Sequence, residues 1–233
     1  FVKKQAGVDD DGNPIYNNTD AGTYTITAKG YVANNYDVMV ENGTMTIGGA
    51  TIRIKAKDDS KKYGEDDPTF DYEVYVGNST TAVAANQRST YVQTAPTSIT
   101  REEGIVPGTY TITASADAVP TDNFTISKYE TGTFTINKAQ LRILADAKTK
   151  VYDGQEPAAA DLTYTAVGLK YDDEVTSVKL VKAAGTDVGN YDIVASEAVV
   201  GNADNYDIKY QKATYKITKR ALTKIEIADQ SIS

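Results

Sequence analysis

The sequence predicts an all-β protein built from tandem small β-sandwich modules, and three observations lead to this prediction. Strand-forming residues dominate the apolar stretches: Thr, Val and Ile are frequent, and there are 17 Tyr but only 4 Phe, 2 Met and no Trp. β-Branched and aromatic residues favour strands. Apolar and polar residues alternate with a period of two, which is typical of antiparallel strands with one buried face. Gly, Asn and Asp separate these short stretches as turn residues do.

The predicted strands show this alternation at particular positions. In TIRIKAK, Ile52, Ile54 and Ala56 face one way and the residues between them face the other. TYTITA repeats the pattern, and TFTINK directs Phe134 and Ile136 inward. The stretch EVTSVKLVKAAG is the one tempting helix, and it fits a strand about equally well. We therefore expect short strands with one face in the core.

One unit recurs along the chain. Gly22, Gly108 and Gly189 open similar strands at spacings of 86 and 81 residues. ATIRIKAKDDSKKYGEDDP from Ala50 matches AQLRILADAKTKVYDGQEP from Ala139, and a third start, ALTKIEIAD, follows later. A period of this length matches a small independent domain. We expect the C-terminal half of a truncated repeat at 1–49, complete repeats at 50–138 and 139–219, and the opening strand of a further repeat at 220–233.

A Tyr-Gly motif follows the opening strand of each complete repeat. The Gly permits a reversal of the chain, and the Tyr is expected to lie across the end of the domain. We interpret the motif as structural. Its residues are Tyr63, Gly64 and Pro68 in the first repeat and Tyr152, Gly154 and Pro157 in the second.

An Asn–aromatic pair recurs later in each unit, at Asn35, Asn123 and Asn205. The interpretation is a turn Asn followed by an inward ring that opens the next strand. The stretch 77–104, rich in Ser, Thr, Asn and Gln, departs from the repeat pattern. It is expected to form a longer loop specific to the first repeat.

The composition excludes several classes of chemistry. The chain has no Cys and no His, so disulfides, thiolate sites and histidine-based triads have no candidates. A net charge of −8 argues against nucleic-acid binding, and no apolar run is long enough to span a membrane. We expect no catalytic residue and no cofactor.

Two weak site candidates remain. The acidic run DDDGN offers Asp9, Asp11 and Asn13 to a calcium ion, but it lacks the other positions of an EF-hand loop, and a solvated loop is the competing interpretation. Tyrosines outside the repeated core pattern offer aromatic faces to a sugar ring. These are Tyr75, Tyr91, Tyr129 and Tyr171.

The motifs resemble the MBG and YDG families of bacterial surface-protein repeats. The resemblance is carried by KKYGEDDP, KVYDGQEP, the GTYTI-like strand and a closing NGT/TGT/ATY strand, and it covers nearly the whole chain. It implies tandem modules of secreted or wall-anchored adhesins outside the bacterial cell, with a mucin-binding label on some members. It brings no catalytic residues.

The sequence thus predicts a structural spacer, that is, a stalk segment of a bacterial surface adhesin whose partners are neighbouring repeats. The alternative is a module that itself binds mucin glycans or a host protein. Because TFTINK runs directly into AQLRILAD, we expect an elongated rod. An immunoglobulin-like sandwich is the expected module, and a β-grasp-like sheet with adjacent first and last strands and a crossing helix is the alternative.

Overall fold

The computed structural model describes residues 5–8, 14–16, 20–27 and 32–223. Regular structure in these residues is mainly β-strand, and the only helical segments within them are the short 3₁₀ turns Ala85–Thr90, Ala159–Asp161 and Ala203–Asn205. The predicted all-β fold is therefore confirmed. The one stretch that fitted helix or strand about equally well forms a strand, Val175–Lys182.

The described part of residues 1–49 forms two antiparallel hairpins. The strands are β1 (Gln5–Val8), β2 (Pro14–Tyr16), β3 (Gly22–Ile26) and β4 (Gly43–Ile47). β1 pairs with β2, and β3 pairs with β4 with Tyr24 opposite Met45. Tyr36 was expected to be an inward ring that opens a strand, and this prediction was wrong: Tyr36 is 81% exposed and no strand follows it before β4.

The first repeat contains nine strands. They are β5 (Ala50–Ala56), β6 (Asp59–Lys62), β7 (Tyr72–Val76), β8 (Val92–Thr94), β9 (Ile99–Arg101), β10 (Gly108–Ala114), β11 (Val119–Pro120), β12 (Phe124–Glu130) and β13 (Gly132–Asn137). The sheets have the strand orders β12-β5-β7, β6-β13-β10-β9 and β11-β8. The opening strand β5 is thus central in its sheet, antiparallel to β7 and parallel to β12.

The second repeat forms two sheets. Its strands are β14 (Ala139–Ala145), β15 (Lys148–Val151), β16 (Tyr164–Val167), β17 (Val175–Lys182), β18 (Gly189–Val200), β19 (Tyr206–Gln211) and β20 (Ala213–Thr218). The strand orders are β16-β14-β19 and β15-β20-β18-β17. The opening segment supplies β14 to one sheet and β15 to the other, and each pairs in parallel with one of the last two strands.

This topology can be compared with the two expected modules, the immunoglobulin-like sandwich and the β-grasp-like sheet. The first strand β14 lies beside the penultimate strand β19, and it is the second strand β15 that lies beside the last strand β20, so the first and last strands are not neighbours as the β-grasp alternative requires. No α-helix crosses a sheet anywhere in the described residues. The buried positions alternate along both sheets and face a shared core, as in a sandwich: Leu141 and Ile143 on β14, Ile193 and Ala195 on β18, and Ile217 on β20.

A tyrosine at the start of β3 and of β18 ties each strand to the preceding turn. The Tyr24 hydroxyl donates to the Asp20 carbonyl at 2.7 Å, and the Tyr191 hydroxyl donates to the Asp187 carbonyl at 2.9 Å. A tyrosine that bonds back to the backbone a few residues upstream is the tyrosine corner of immunoglobulin-like sandwiches. The sequence did not reveal this bond, although the shared GTY and GNY starts mark both positions.

The stretch 77–104 is more than the expected loop. It contains the 3₁₀ turn Ala85–Thr90 and the strands β8 and β9. The offset between repeats falls from 89 at Pro68/Pro157 to 81 at Gly108/Gly189, so the first repeat holds eight additional residues here. The second repeat has one continuous β17–β18 hairpin at the same place, whereas the first has the two short ladders β9–β10 and β8–β11.

The described residues fall into two compact units that cut across the sequence repeats. Unit 1 spans 1–60, 68–104 and 109–135, and unit 2 spans 61–67, 105–108 and 136–233. The segment 61–67, which carries Tyr63 and Gly64, therefore belongs to the same compact unit as the whole second repeat.

Candidate functional site

The Tyr-Gly turn of segment 61–67 is built by local hydrogen bonds. After β6 ends at Lys62, the Glu65 N–H bonds back to the Lys62 carbonyl at 3.1 Å, and the Glu65 carboxylate accepts the Lys62 N–H at 2.8 Å. Gly64 has a φ of +76°, which costs glycine little and other residues roughly 1–2 kcal/mol. The Tyr63 N–H donates to the Asn137 carbonyl at 2.8 Å. These bonds fix the direction in which Tyr63 leaves the turn.

The Tyr63 ring is buried against two tyrosines of unit 2. Its exposed fraction is 3%. The ring centroid lies 5.2 Å from that of Tyr171 and 5.5 Å from that of Tyr206, both in edge-to-face geometry. Such aromatic pairs add about 0.5–1.5 kcal/mol each beyond the area they bury. A Cβ at Gly64 would lie 2.5 Å from Lys170 Cγ, so the lysine stem covers the glycine closely.

One carboxylate, that of Asp173, accepts hydrogen bonds from several side chains at this contact. Asp173 accepts hydrogen bonds from the Tyr63 hydroxyl at 2.9 Å, the Tyr206 hydroxyl at 2.6 Å and the Asn202 amide at 2.6 Å. The Tyr206 oxygen in turn accepts the Lys170 N–H at 2.8 Å. We call Tyr63, Tyr171, Asp173 and Tyr206 the Tyr63 cluster.

The electrostatics of the Tyr63 cluster favour neutral phenols around a charged carboxylate. Hydrogen bonds from Tyr206 first, and also from Asn202 and Tyr63, hold the pKa of Asp173 below its ordinary value. Burial, and then the bond to Asp173, raise the pKa of Tyr63 and that of Tyr206. Phenols with raised pKa values stay protonated and donate hydrogen bonds. The arrangement holds two segments of unit 2 together.

The motif of the second repeat has the same bond from its tyrosine to the closing strand, but its glycine lies one position later and its ring has no such cover. The Tyr152 N–H donates to the Thr218 carbonyl at 2.9 Å, as that of Tyr63 does to Asn137. Gly154 again has a φ of +76°. Yet Tyr152 is 38% exposed, and the nearest atom to a Cβ at Gly154 would be the Tyr152 hydroxyl oxygen at 3.9 Å. The tyrosine is therefore anchored to the closing strand in both copies, and its ring is packed against other residues in one.

The Asn–aromatic corners are contacted by residues from the preceding repeat in sequence. In unit 1, Asn123 accepts the Ala21 N–H at 2.8 Å and donates to the Asp20 carboxylate at 2.9 Å. In unit 2, Asn205 is 7% exposed beside Tyr63 and Tyr206. The expected inward ring is confirmed where β19 begins. The long-range partners of these Asn side chains were missed, because a local pattern carries no information about them.

The other predicted candidates lie apart from the cluster. Asp9, Asp11 and Asn13 fall outside the described residues. Pro68 and Pro157 are half-buried and take no part in the cluster. Among the described residues, no three acidic side chains are gathered as a metal site would require.

Three of the four tyrosines considered for sugar binding are half-buried. Tyr75 donates to Glu73 at 2.8 Å and lies under Arg53, and Tyr91 packs 4.9 Å from the Phe124 ring. Tyr129 packs against the core of the first repeat. Only Tyr171 is exposed, at 59%, and its ring packs on Tyr63. Of the four, Tyr171 therefore keeps the largest exposed surface.

The second repeat contains an open groove. Its volume is about 520 Å³, and its wall is mainly apolar. It is lined by Ala159, Leu162, Thr163, Tyr164, Val178, Lys179 and Leu180.

Comparison with known proteins gives one family. A family model described as MBG domain (YGX type) matches residues 52–135 and 141–216. The search of curated proteins gave no significant match. Within the residues that the structure describes, no helix has the length and apolar character needed to cross a membrane.

Proposed function

The chain belongs to the MBG domain family of the YGX type, and from this membership we propose that it is a non-catalytic spacer in the stalk of a bacterial surface adhesin. The observation that carries the proposal is how the chain uses the Tyr-Gly motif. Tyr63 and Gly64 are covered by other residues of unit 2. A motif that is buried within the protein itself serves assembly of repeats better than capture of a ligand.

The strand order of the second repeat supports a load-bearing role. β15 runs parallel to the closing strand β20, with Lys148 opposite Tyr215 and Val151 opposite Thr218. Tension along the chain pulls the start of the repeat and its end in opposite directions. Neighbouring parallel strands then slide along each other, so several ladder hydrogen bonds must break together. A spacer that holds another domain away from a cell wall needs this resistance.

Single-molecule force spectroscopy on the chain held at both ends tests this role. The Tyr152 N–H points to β20, so by alternation the Lys150 N–H does too and the Thr149 N–H points away. Lys150→Pro should lower the unfolding force of the second repeat because it removes a ladder bond. Thr149→Pro is the matched control and should leave the force near that of the unchanged chain. Equal forces for both variants would argue against load through this ladder.

The second candidate function is binding of mucin glycans, and the apolar groove beside Leu162 and Tyr164 is the observation that favours it. A glycan array and a mucin pull-down at high salt distinguish the two functions. The spacer proposal expects no retained glycan. Retention that is lost in Leu162→Asp, with the circular dichroism spectrum unchanged, would replace it with the binding function.

A further inference from the structure

The two Tyr-Gly motifs share a backbone anchor at the tyrosine but have two different environments. Tyr63 is 3% exposed and Tyr152 is 38% exposed. Both tyrosine N–H groups bond to the closing strand. A glycine with a φ of +76° lies one residue after Tyr63 and two residues after Tyr152. The two rings differ in what covers them. Segment 168–173 and the Asn205 corner cover Tyr63, whereas the surroundings of Tyr152 leave it open, with Val151 56% exposed beside it.

The loop that precedes β3 and the loop that precedes β18 show a similar contrast in what covers them. The tyrosine corners of Tyr24 and Tyr191 make Asp20 and Asp187 equivalent positions. Asp20 and the next residue contact the Asn123 corner that follows later in the sequence. In the second repeat the residue after Asp187 is Val188, which is 46% exposed.

These two open loops lie at the same end of one sheet. Lys150 pairs with Ile217 on β20, and Ile217 pairs with Gly189 on β18. The loops 151–154 and 186–188 adjoin these paired residues. The chain therefore presents a Tyr, an uncovered Gly and an exposed Val together at one end of the second repeat.

We propose that loops 151–154 and 186–188 form a docking surface for one occupant, a following MBG repeat in the same chain. The sequence after Lys219 begins ALTKIEIAD, which matches the AQLRILAD opening of the second repeat. The chemistry required of the occupant is that seen around Tyr63. It presents a carboxylate to accept the Tyr152 hydroxyl, an Asn–aromatic corner to pack on the ring, and a Lys stem to cover Gly154.

The inference rests on the proposed spacer function, since it names the contact by which the array continues. Residues 1–220 followed by a second copy of 139–219, here called the extended chain, provide the test. The added copy carries Tyr152→Phe at its own motif, so that only the original Tyr152 is followed. Both chains are nitrated with tetranitromethane, and the modified peptides are quantified by mass spectrometry.

Tyr152 should react readily in the 233-residue chain and at least tenfold more slowly in the extended chain. Tyr63 should be protected in both, which verifies that the fold is intact. Equal reactivity of Tyr152 in the two chains would overturn the proposal. Asp173→Ala in the added copy should restore nitration of the original Tyr152. Gly154→Ala in the original repeat changes the other side of the contact and should also restore nitration of Tyr152. Protection that survives both substitutions would also overturn it.

The outcome is separable from that of the spacer proposal. If Tyr152 is not protected and the chain retains no mucin glycan, the docking surface is wrong and the spacer function stands. If Tyr152 is protected and the chain retains mucin glycans through its groove, the docking surface stands and the spacer function fails.

Discussion

Replacing Tyr63 by Ala should destabilise unit 2 by about 3–5 kcal/mol, the range for buried aromatic residues. The same change at Tyr152 should cost under about 1 kcal/mol, near the range for surface positions. An aromatic side chain buries roughly 150–250 Å². The difference between 38% and 3% exposure is then roughly 50–90 Å², or about 1–2 kcal/mol at about 25 cal/mol per Å². The bond to Asp173 adds about 1.5–3 kcal/mol, because its acceptor is charged.

Urea unfolding followed by circular dichroism measures this difference. With an m value of about 2 kcal/mol per M, Tyr63→Ala should lower the midpoint of the transition that reports unit 2 by about 1.5–2.5 M. Tyr152→Ala should lower it by less than about 0.5 M. The two substitutions change the same residue type at the residue whose N–H bonds to the closing strand, so each controls for the other. Equal shifts would refute the reasoning, because they would mean that burial by the cluster contributes nothing.

Three further predictions concern the turns and the titrating groups. Gly64→Ala should destabilise the chain more than Gly154→Ala, because both incur the strain of a φ of +76° but only Gly64 is closely covered; thermal melts of the two variants check this. The pKa of Tyr63 is raised in the folded state, so its contribution to stability is complete below about pH 10 and is lost as the pH rises towards the folded value. Urea midpoints of Tyr63→Phe should therefore fall less steeply above pH 10 than those of the unchanged chain. Hydroxyl bonds led by that of Ser115 lower the pKa of Asp117 to about 2, and NMR titration should show this value moving upwards in Ser115→Ala.

The parts of the fold that the sequence predicted are those set by local alternation. Ile52, Ile54 and Ala56 are buried on β5, and Phe134 and Ile136 are buried on β13, as the period-two pattern indicated. A strand with one buried face must alternate, so its sequence alone reveals which side is inward. The reversal at each Tyr-Gly motif was also predictable, since a positive φ calls for glycine.

The contacts that define the candidate site were not predictable in this way. The Tyr63 hydroxyl bonds to Asp173, 110 residues further along the chain, and no local pattern relates the two. Likewise, the sequence around Asn123 identifies a turn residue but gives no sign of its bond to Ala21. Tyr36 has the same local sequence as the ordered corners and is nevertheless exposed. β12 and β19 each begin at such a corner and pair in parallel with an opening strand. Residues 1–49 contain no opening sequence of this kind, so they supply no such strand to the Tyr36 corner.

Two copies of one motif with different burial therefore constrain what the motif is for. If the tyrosine served only to close its own repeat, each copy would be buried by its own repeat, because both N–H groups bond to the closing strand of that repeat. Instead, Tyr63 is buried by residues that follow Ala139, while Tyr152 is left 38% exposed. A large aromatic side chain at a turn held by backbone bonds gains little from staying in water. This contrast between the two copies is the reason for proposing that the motif connects successive repeats.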